Sequence, residues 1–173
     1  MKTYIIGFFF ISIIGPLLHF AYDFSKHNKV VGLFSAVNES TWEHIKLALT
    51  PLFIYSLVDG YIYGSNPNYF FSKLIGVLTV IIVIPLIFYG YKIFTKKPIL
   101  IVDITSFFIT VFLSQYLSYI VLTTANASYI VNYISVILLL IIFGIYLLST
   151  IHPIKSFIFK DPNTKKYGLK GHK

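Results

Sequence analysis

Ser128–Ile151 reads SYIVNYISVILLLIIFGIYLLSTI, twenty-four residues without one charged side chain. At a helical rise of 1.5 Å per residue, about 20 such residues cross a hydrocarbon core roughly 30 Å thick. The stretch is continuously apolar. A membrane strand would instead alternate apolar and polar residues over about ten positions, so a helix is the form that satisfies its backbone in lipid.

Working outward, four more runs of this kind precede it, at about 4–22, 41–63, 72–91 and 98–123. The chain is 173 residues long, 57% hydrophobic and only 12% charged, with a mean hydropathy of +0.80. One water-soluble core cannot hide that much apolar surface. The expected fold class is therefore all-α, a polytopic transmembrane helical bundle of five spans (residues 1–151) followed by a basic tail (152–173). No internal repeat and no second domain are apparent.

Punctuation sets the expected boundaries. The first run follows Lys2 but lacks a small-x-small cleavage site and is too long for a signal peptide's apolar region, so it is a retained span. Residues 23–39 form a polar connection. Ser40-Thr41-Trp42-Glu43 has the form of a capping box, with Glu43 returning to the N-cap amide. Asn66-Pro67-Asn68 marks a loop, Lys92–Lys97 a short basic connection, and 124–127 an uncharged turn. Pro16, Pro51 and Pro85 are expected to kink or break their helices. The tail is expected to lie at the interface and then to be disordered.

Five spans place the termini on opposite sides, and the lysines choose between them. Lys26, Lys29, Lys46, Lys92, Lys96 and Lys97 share one side with six tail lysines, making twelve, whereas the other side has only Lys2 and Lys73. By the positive-inside rule the twelve-lysine side is cytoplasmic, with the N-terminus outside, as in a multi-pass protein of the cell membrane. The tail then meets anionic headgroups of the membrane lipid. All fourteen basic residues are lysine, and without arginine's bidentate fork the +8 charge does not point to nucleic acid. The absence of cysteine removes disulfides and thiolate chemistry.

Ionisable residues gather at the cytoplasmic boundary. His19 and Asp23 end span one, four residues apart on one face. Glu39, Glu43 and His44 open span two, Asp103 lies five residues into span four, and His152 ends span five. A carboxylate at mid-bilayer costs on the order of 3 kcal/mol, so Asp103 needs a partner, and the histidines are the nearest. His19, Asp23, His44, Asp103 and His152 are expected in one cluster. In it His19, His44 and His152 serve as ligands to zinc or another divalent transition metal, and Glu43, Asp103 and Asp23 as acid–base groups. Each also has a plainer role: His19 and Asp23 as a helix-end anchor, Glu43 as a cap, Trp42 as an interfacial anchor, and Lys46 snorkelling or paired with Glu43. Three functions fit: a metal-dependent hydrolase of a lipid-like substrate, a small transporter or accessory membrane subunit, and a purely structural membrane protein.

Residues 34–46, Phe-Ser-Ala-Val-Asn-Glu-Ser-Thr-Trp-Glu-His-Ile-Lys, preceded by Leu18-His19-Phe20 and Asp23, resemble the signature of an uncharacterised family of small bacterial multispanning membrane proteins. The resemblance implies that Asn-Glu-Ser-x-Trp-Glu-His is the family's hallmark, and it implies no mechanism. A weaker likeness is to membrane hydrolases of the alkaline ceramidase type, seven-span zinc enzymes, with Ser40, Asp23, His19, His44 and His152 cast in their serine, aspartate and histidine roles. Five spans instead of seven, and no paired histidines on one late helix, depart from that pattern.

Reporters fused after Asn66 and after Lys173 are expected on opposite faces of the membrane, the second in the cytoplasm. Signals from the same face would overturn the five-span topology.

Overall fold

The computed structural model describes residues 1–172, so Lys173, last of the tail lysines, lies outside it. Five helices are long and apolar enough to cross a membrane: α1 (Lys2–Phe24), α3 (Thr41–Tyr63), α4 (Tyr69–Thr95), α5 (Leu100–Thr124) and α6 (Tyr129–Ile151). The polar connection of 23–39 is not all loop. Lys29–Phe34 forms a short helix, α2, whose N-cap Asn28 accepts a hydrogen bond from the Val30 amide at 2.8 Å.

α3 is the most buried of the five and occupies the centre, with α1 and α4 packed on it and α5 bridging α1 and α4. Ile11, Ile45, Leu49, Val77, Val80, Val111 and Tyr146 join five helices in one apolar core. Small residues let the backbones approach, as in other membrane bundles. A Cβ added at Gly15 would lie 2.8 Å from the Leu47 carbonyl oxygen. That carbonyl stands four residues before Pro51, which has no amide to give it. Gly76 makes the equivalent approach between α4 and α5, where the Ser114 hydroxyl donates to its carbonyl at 2.9 Å. No proline ends its helix: α1, α3 and α4 each run on through Pro16, Pro51 and Pro85.

Two buried ion pairs sit near opposite ends of α3. Lys46 is fully buried and donates to Glu43 Oε2 at 2.8 Å, the Thr150 hydroxyl at 2.7 Å and the Gly32 carbonyl at 2.9 Å. Toward the other end Lys73 pairs with Asp59, its ammonium 4.6 Å from the centre of the Tyr4 ring. Lys46 therefore pairs with Glu43 instead of snorkelling. Ser40 caps α3 as expected, its hydroxyl accepting from the Glu43 amide at 3.4 Å. The second half of the capping box is absent. Glu43 Oε2 accepts from Lys46 and from the Val37 amide at 3.1 Å, while the Ser40 amide donates to Asn38 Oδ1.

The tail is folded against the bundle, contrary to the expectation of disorder. Phe159 stacks on Trp42 with ring centres 4.7 Å apart. The Trp42 indole is buried and donates to the Ser149 hydroxyl, so this residue packs the tail onto the bundle. Asp161 is buried and accepts from the Glu39, Asn163 and Thr164 amides. Gly168, at φ +53°, lies against the Thr150 carbonyl, and Asn38 Nδ2 donates to the Gly168 carbonyl at 2.9 Å. A side chain there would be strained by its backbone angle and blocked by that carbonyl.

Glu43→Ala leaves the Lys46 ammonium buried without its counter-ion, and is expected to cost about 3–5 kcal/mol. The double change Glu43→Leu with Lys46→Met should destabilise less than the single one in thermal unfolding in detergent. The reverse order would remove the ion pair from the account of stability.

Asp161 gives a pH signature. Burial pushes its carboxyl up, but the hydrogen bonds from the Thr164, Glu39 and Asn163 amides and the Thr164 hydroxyl outweigh burial and hold it below its ordinary value. Folding therefore favours the carboxylate. Its stabilising effect is fully present above the unfolded value of about 4 and is lost as pH falls through the lower folded value. Protection of the Glu39 and Asn163 amides, measured against the intrinsic exchange rate at each pH, should fall below about pH 4 in the natural protein. In Asp161→Asn it should already be low at neutral pH.

Candidate functional site

Glu39 stands between the Asn38 turn and the Ser40 cap, so its position follows from bonds made by its neighbours. Asn38 Oδ1 accepts from the Ser40 amide at 2.8 Å, and the Glu39 amide donates to Asp161 Oδ2 at 2.8 Å. With the main chain held on both sides, the Glu39 side chain reaches out to two imidazoles. One is His44, a turn inside α3, whose Nε2 lies 3.5 Å from Glu39 Oε2. The other is His19 on α1, whose Nε2 lies 3.8 Å from the same oxygen. The two imidazole centres are 5.6 Å apart.

The tautomer of His44 follows from its backbone contact. Its Nδ1 is 3.0 Å from the Ser40 carbonyl oxygen, which can only accept. Nδ1 therefore carries a proton, and in the neutral ring Nε2 presents its lone pair toward Glu39 and His19. His19 Nε2, His44 Nε2 and a Glu39 carboxylate oxygen all lie within 4.8 Å of one another. Both imidazole–carboxylate separations are long for hydrogen bonds. They approach the edge of a tetrahedron whose ligands lie 2.0–2.2 Å from a central zinc, which is about 3.3–3.5 Å. His19 leads the influences that hold the Glu39 carboxyl below the usual carboxylate range, followed by burial in the opposite sense and then His44. All three side chains are partly open to solvent, at 32% for His19, 40% for His44 and 45% for Glu39. A fourth ligand can thus enter from outside.

The single cluster of five residues expected from the sequence does not form. His19 and His44 come together. Asp23 instead joins His27 and His172 in a second group. Asp103 is separate: α5 starts at Leu100, two residues later than expected, which leaves Asp103 in its first turn, where the helix dipole favours a carboxylate. The Tyr91 hydroxyl donates to it at 2.6 Å, so its partner is a phenol and not a histidine. His152 ends α6 with an exposed side chain and belongs to neither group. Glu43 is fully engaged below the surface by Lys46 and Val37.

Of the residues cast in a ceramidase-like arrangement, only His19 and His44 share a site, and the Ser40 hydroxyl is used in capping α3. Glu39, His27 and His172 are the additions. Glu39 had a readable signal, its place one residue before the cap and five before His44. Nothing local in the sequence pairs His27 with His172, 145 residues away.

The Asn38–His44 element therefore has an assignable part for each residue. Asn38 and Ser40 shape the turn and cap, Thr41 shares a hydrogen bond with Tyr89, Trp42 docks the tail, Glu43 neutralises Lys46, and Glu39 and His44 face His19. No curated protein and no solved structure matches this chain. Residues 1–169, which take in this element and all five apolar helices, match the model of a family of unknown function, DUF6512, and the chain belongs to that family.

Proposed function

We propose that this multi-pass protein binds a divalent transition metal, zinc in the first place, through His19, Glu39 and His44 at the cytoplasmic boundary of the membrane. The observation that carries the reading is the pinned tautomer of His44, which aims a lone pair at the point where a second imidazole and a carboxylate already converge. Two imidazoles, one carboxylate and a position open to solvent make a ligand set of the catalytic kind, since structural zinc sites close all four positions.

The reaction class that follows is hydrolysis of a lipid-like substrate at the headgroup level. Bound there, zinc supplies a Lewis acid and lowers the pKa of a coordinated water to about 7. The chain's own contribution is placement. Ser40 fixes His44, Asp161 and Asn38 fix the backbone on either side of Glu39, and exposed Leu17 and Phe20 beside His19 give an apolar rim that belongs in lipid.

The transport reading has less support. A groove of about 590 Å³ lies between α3, α4 and α6, with Thr50 and Tyr146 toward one end and Lys73 toward the other. Between them it is lined mainly by Phe53, Leu57, Val77, Leu139 and Phe143; the Ser56 hydroxyl among them donates to the Leu52 carbonyl, and no carboxylate or imidazole among the described residues lines the groove to pass a proton or ion along.

Protein purified without chelators or a histidine tag is expected to hold zinc, and His44→Ala is expected to lower zinc affinity at least tenfold with helicity unchanged. Glu39→Gln, which keeps the shape and removes the charge, should weaken binding as well. Natural protein that takes up no zinc at micromolar concentration, or variants that bind it equally well, would defeat the proposal.

A further inference from the structure

One helical turn beyond His19 on α1, a second group of ligand atoms is built from parts of the chain far apart in sequence. Asp23 Oδ1 lies 3.4 Å from His27 Nε2 and 3.3 Å from His172 Nε2, and the two imidazole nitrogens are 2.9 Å apart. His172 Nδ1 is 3.1 Å from the Val37 carbonyl oxygen, which requires the proton on Nδ1 and leaves Nε2 as the lone pair in the neutral ring. The same device orients His44 in the first group. At 2.9 Å the two nitrogens stand at hydrogen-bond distance: a neutral His27 with its proton on Nε2 donates to the His172 lone pair, and a zinc ion that takes that proton's place needs them to part only to the edge of its tetrahedron, about 3.3 Å.

The backbone adds an independent observation. Lys26 and His27 both have positive φ, 56° and 61°, where residues with a side chain are uncommon. The chain accepts two such residues in succession at the point where His27 turns back toward Asp23. Strained backbone of this kind concentrates at sites where a side chain must be held in one place.

We propose that Asp23, His27 and His172 form a second site for a zinc-class divalent cation, one that latches the C-terminal tail onto the end of α1. Imidazole nitrogen with one carboxylate oxygen suits zinc and its neighbours and does not suit calcium or magnesium, which take oxygen ligands. The site shares no ligand with His19, Glu39 and His44. Its job is mechanical: two ligands come from the α1–α2 corner and the third from the tail, so occupancy joins segments that lie 145 residues apart. The tail segment so held carries the Asp161 carboxylate that receives the Glu39 amide. The latch therefore stabilises the platform under the first site without touching its ligands.

The test uses the full chain in detergent, without a histidine tag, stripped with chelator and dialysed against zinc chloride. Zinc per chain is measured alongside the rate at which trypsin cleaves at the exposed Lys165, Lys166 and Lys170. Two zinc ions are expected in the natural protein, and one each in His172→Ala, His27→Ala and His44→Ala. Zinc should slow tail cleavage at least fivefold in the natural protein and in His44→Ala, but not in His172→Ala or His27→Ala. His27 is exposed, so its replacement leaves the helical packing intact and guards against a folding artefact. One zinc per chain that is lost in His44→Ala and retained in His172→Ala overturns the latch and leaves the first site standing. One zinc retained in His44→Ala and lost in His172→Ala does the opposite. Two zinc ions with tail cleavage indifferent to zinc would keep the second site and overturn its latching role.

Discussion

The tail end of this bundle is organised by one ammonium group. Lys46 Nζ has three protons and places all of them, on the Gly32 carbonyl of α2, the Glu43 carboxylate of α3 and the Thr150 hydroxyl of α6. In a buried, low-dielectric place nothing less is tolerable, because each unmet donor on a charge costs more there than in water. The three acceptors belong to three separate elements, so satisfying the charge fixes their relative positions. Glu43 passes the constraint on by accepting the Val37 amide, which sets the path of the connection just before Asn38 and Glu39. The partly exposed groups that face His19 thus rest on a pair that is wholly buried.

The apolar half of the architecture was legible because lipid demands long, continuously apolar helices. Ser128–Ile151 needs no tertiary information to be read as one. The Ser40 cap was legible for a similar local reason: a hydroxyl just ahead of an apolar run satisfies a free amide whatever surrounds it. Glu43 was misread in part. A carboxylate at that position can return to the N-cap amide, but here a buried cation three residues on outcompetes it, and Asn38 takes the amide instead. Lys46 was visible as a partner, while its complete burial was not, since that depends on α2 and α6 closing over it.

Asp103 shows how depth along a span misleads. Counting from Pro98 put it inside the hydrocarbon region and in need of a histidine, but a two-residue shift of the helix start moved it to the first turn. There the Tyr91 hydroxyl, just before the α4–α5 connection, is near enough to serve. The tail was harder still. Its residues are polar and glycine-containing, which reads as disorder, and its order comes from single specific contacts: Phe159 on Trp42, the Asp161 carboxylate on three amides, Gly168 under Asn38. None of these has a periodic signature.

The placement of the groups bears on what kind of substrate could use them. α3 turns His44 toward α1 and the Glu39 turn, while Lys46 and Thr50, on its other side, meet α2 and α6, with Thr50 at the edge of the apolar groove. The imidazole site and the groove thus occupy opposite sides of the central helix. An acyl chain lying in the groove would have the Thr50–Tyr146 hydroxyl pair within reach but no imidazole. A ligand reaching His19 and His44 must come along the membrane boundary, past exposed Leu17 and Phe20, where headgroups lie and water is available. The proposed hydrolysis would therefore act on the polar end of an amphiphile, with its apolar end left in the bilayer or on the outer face of α1.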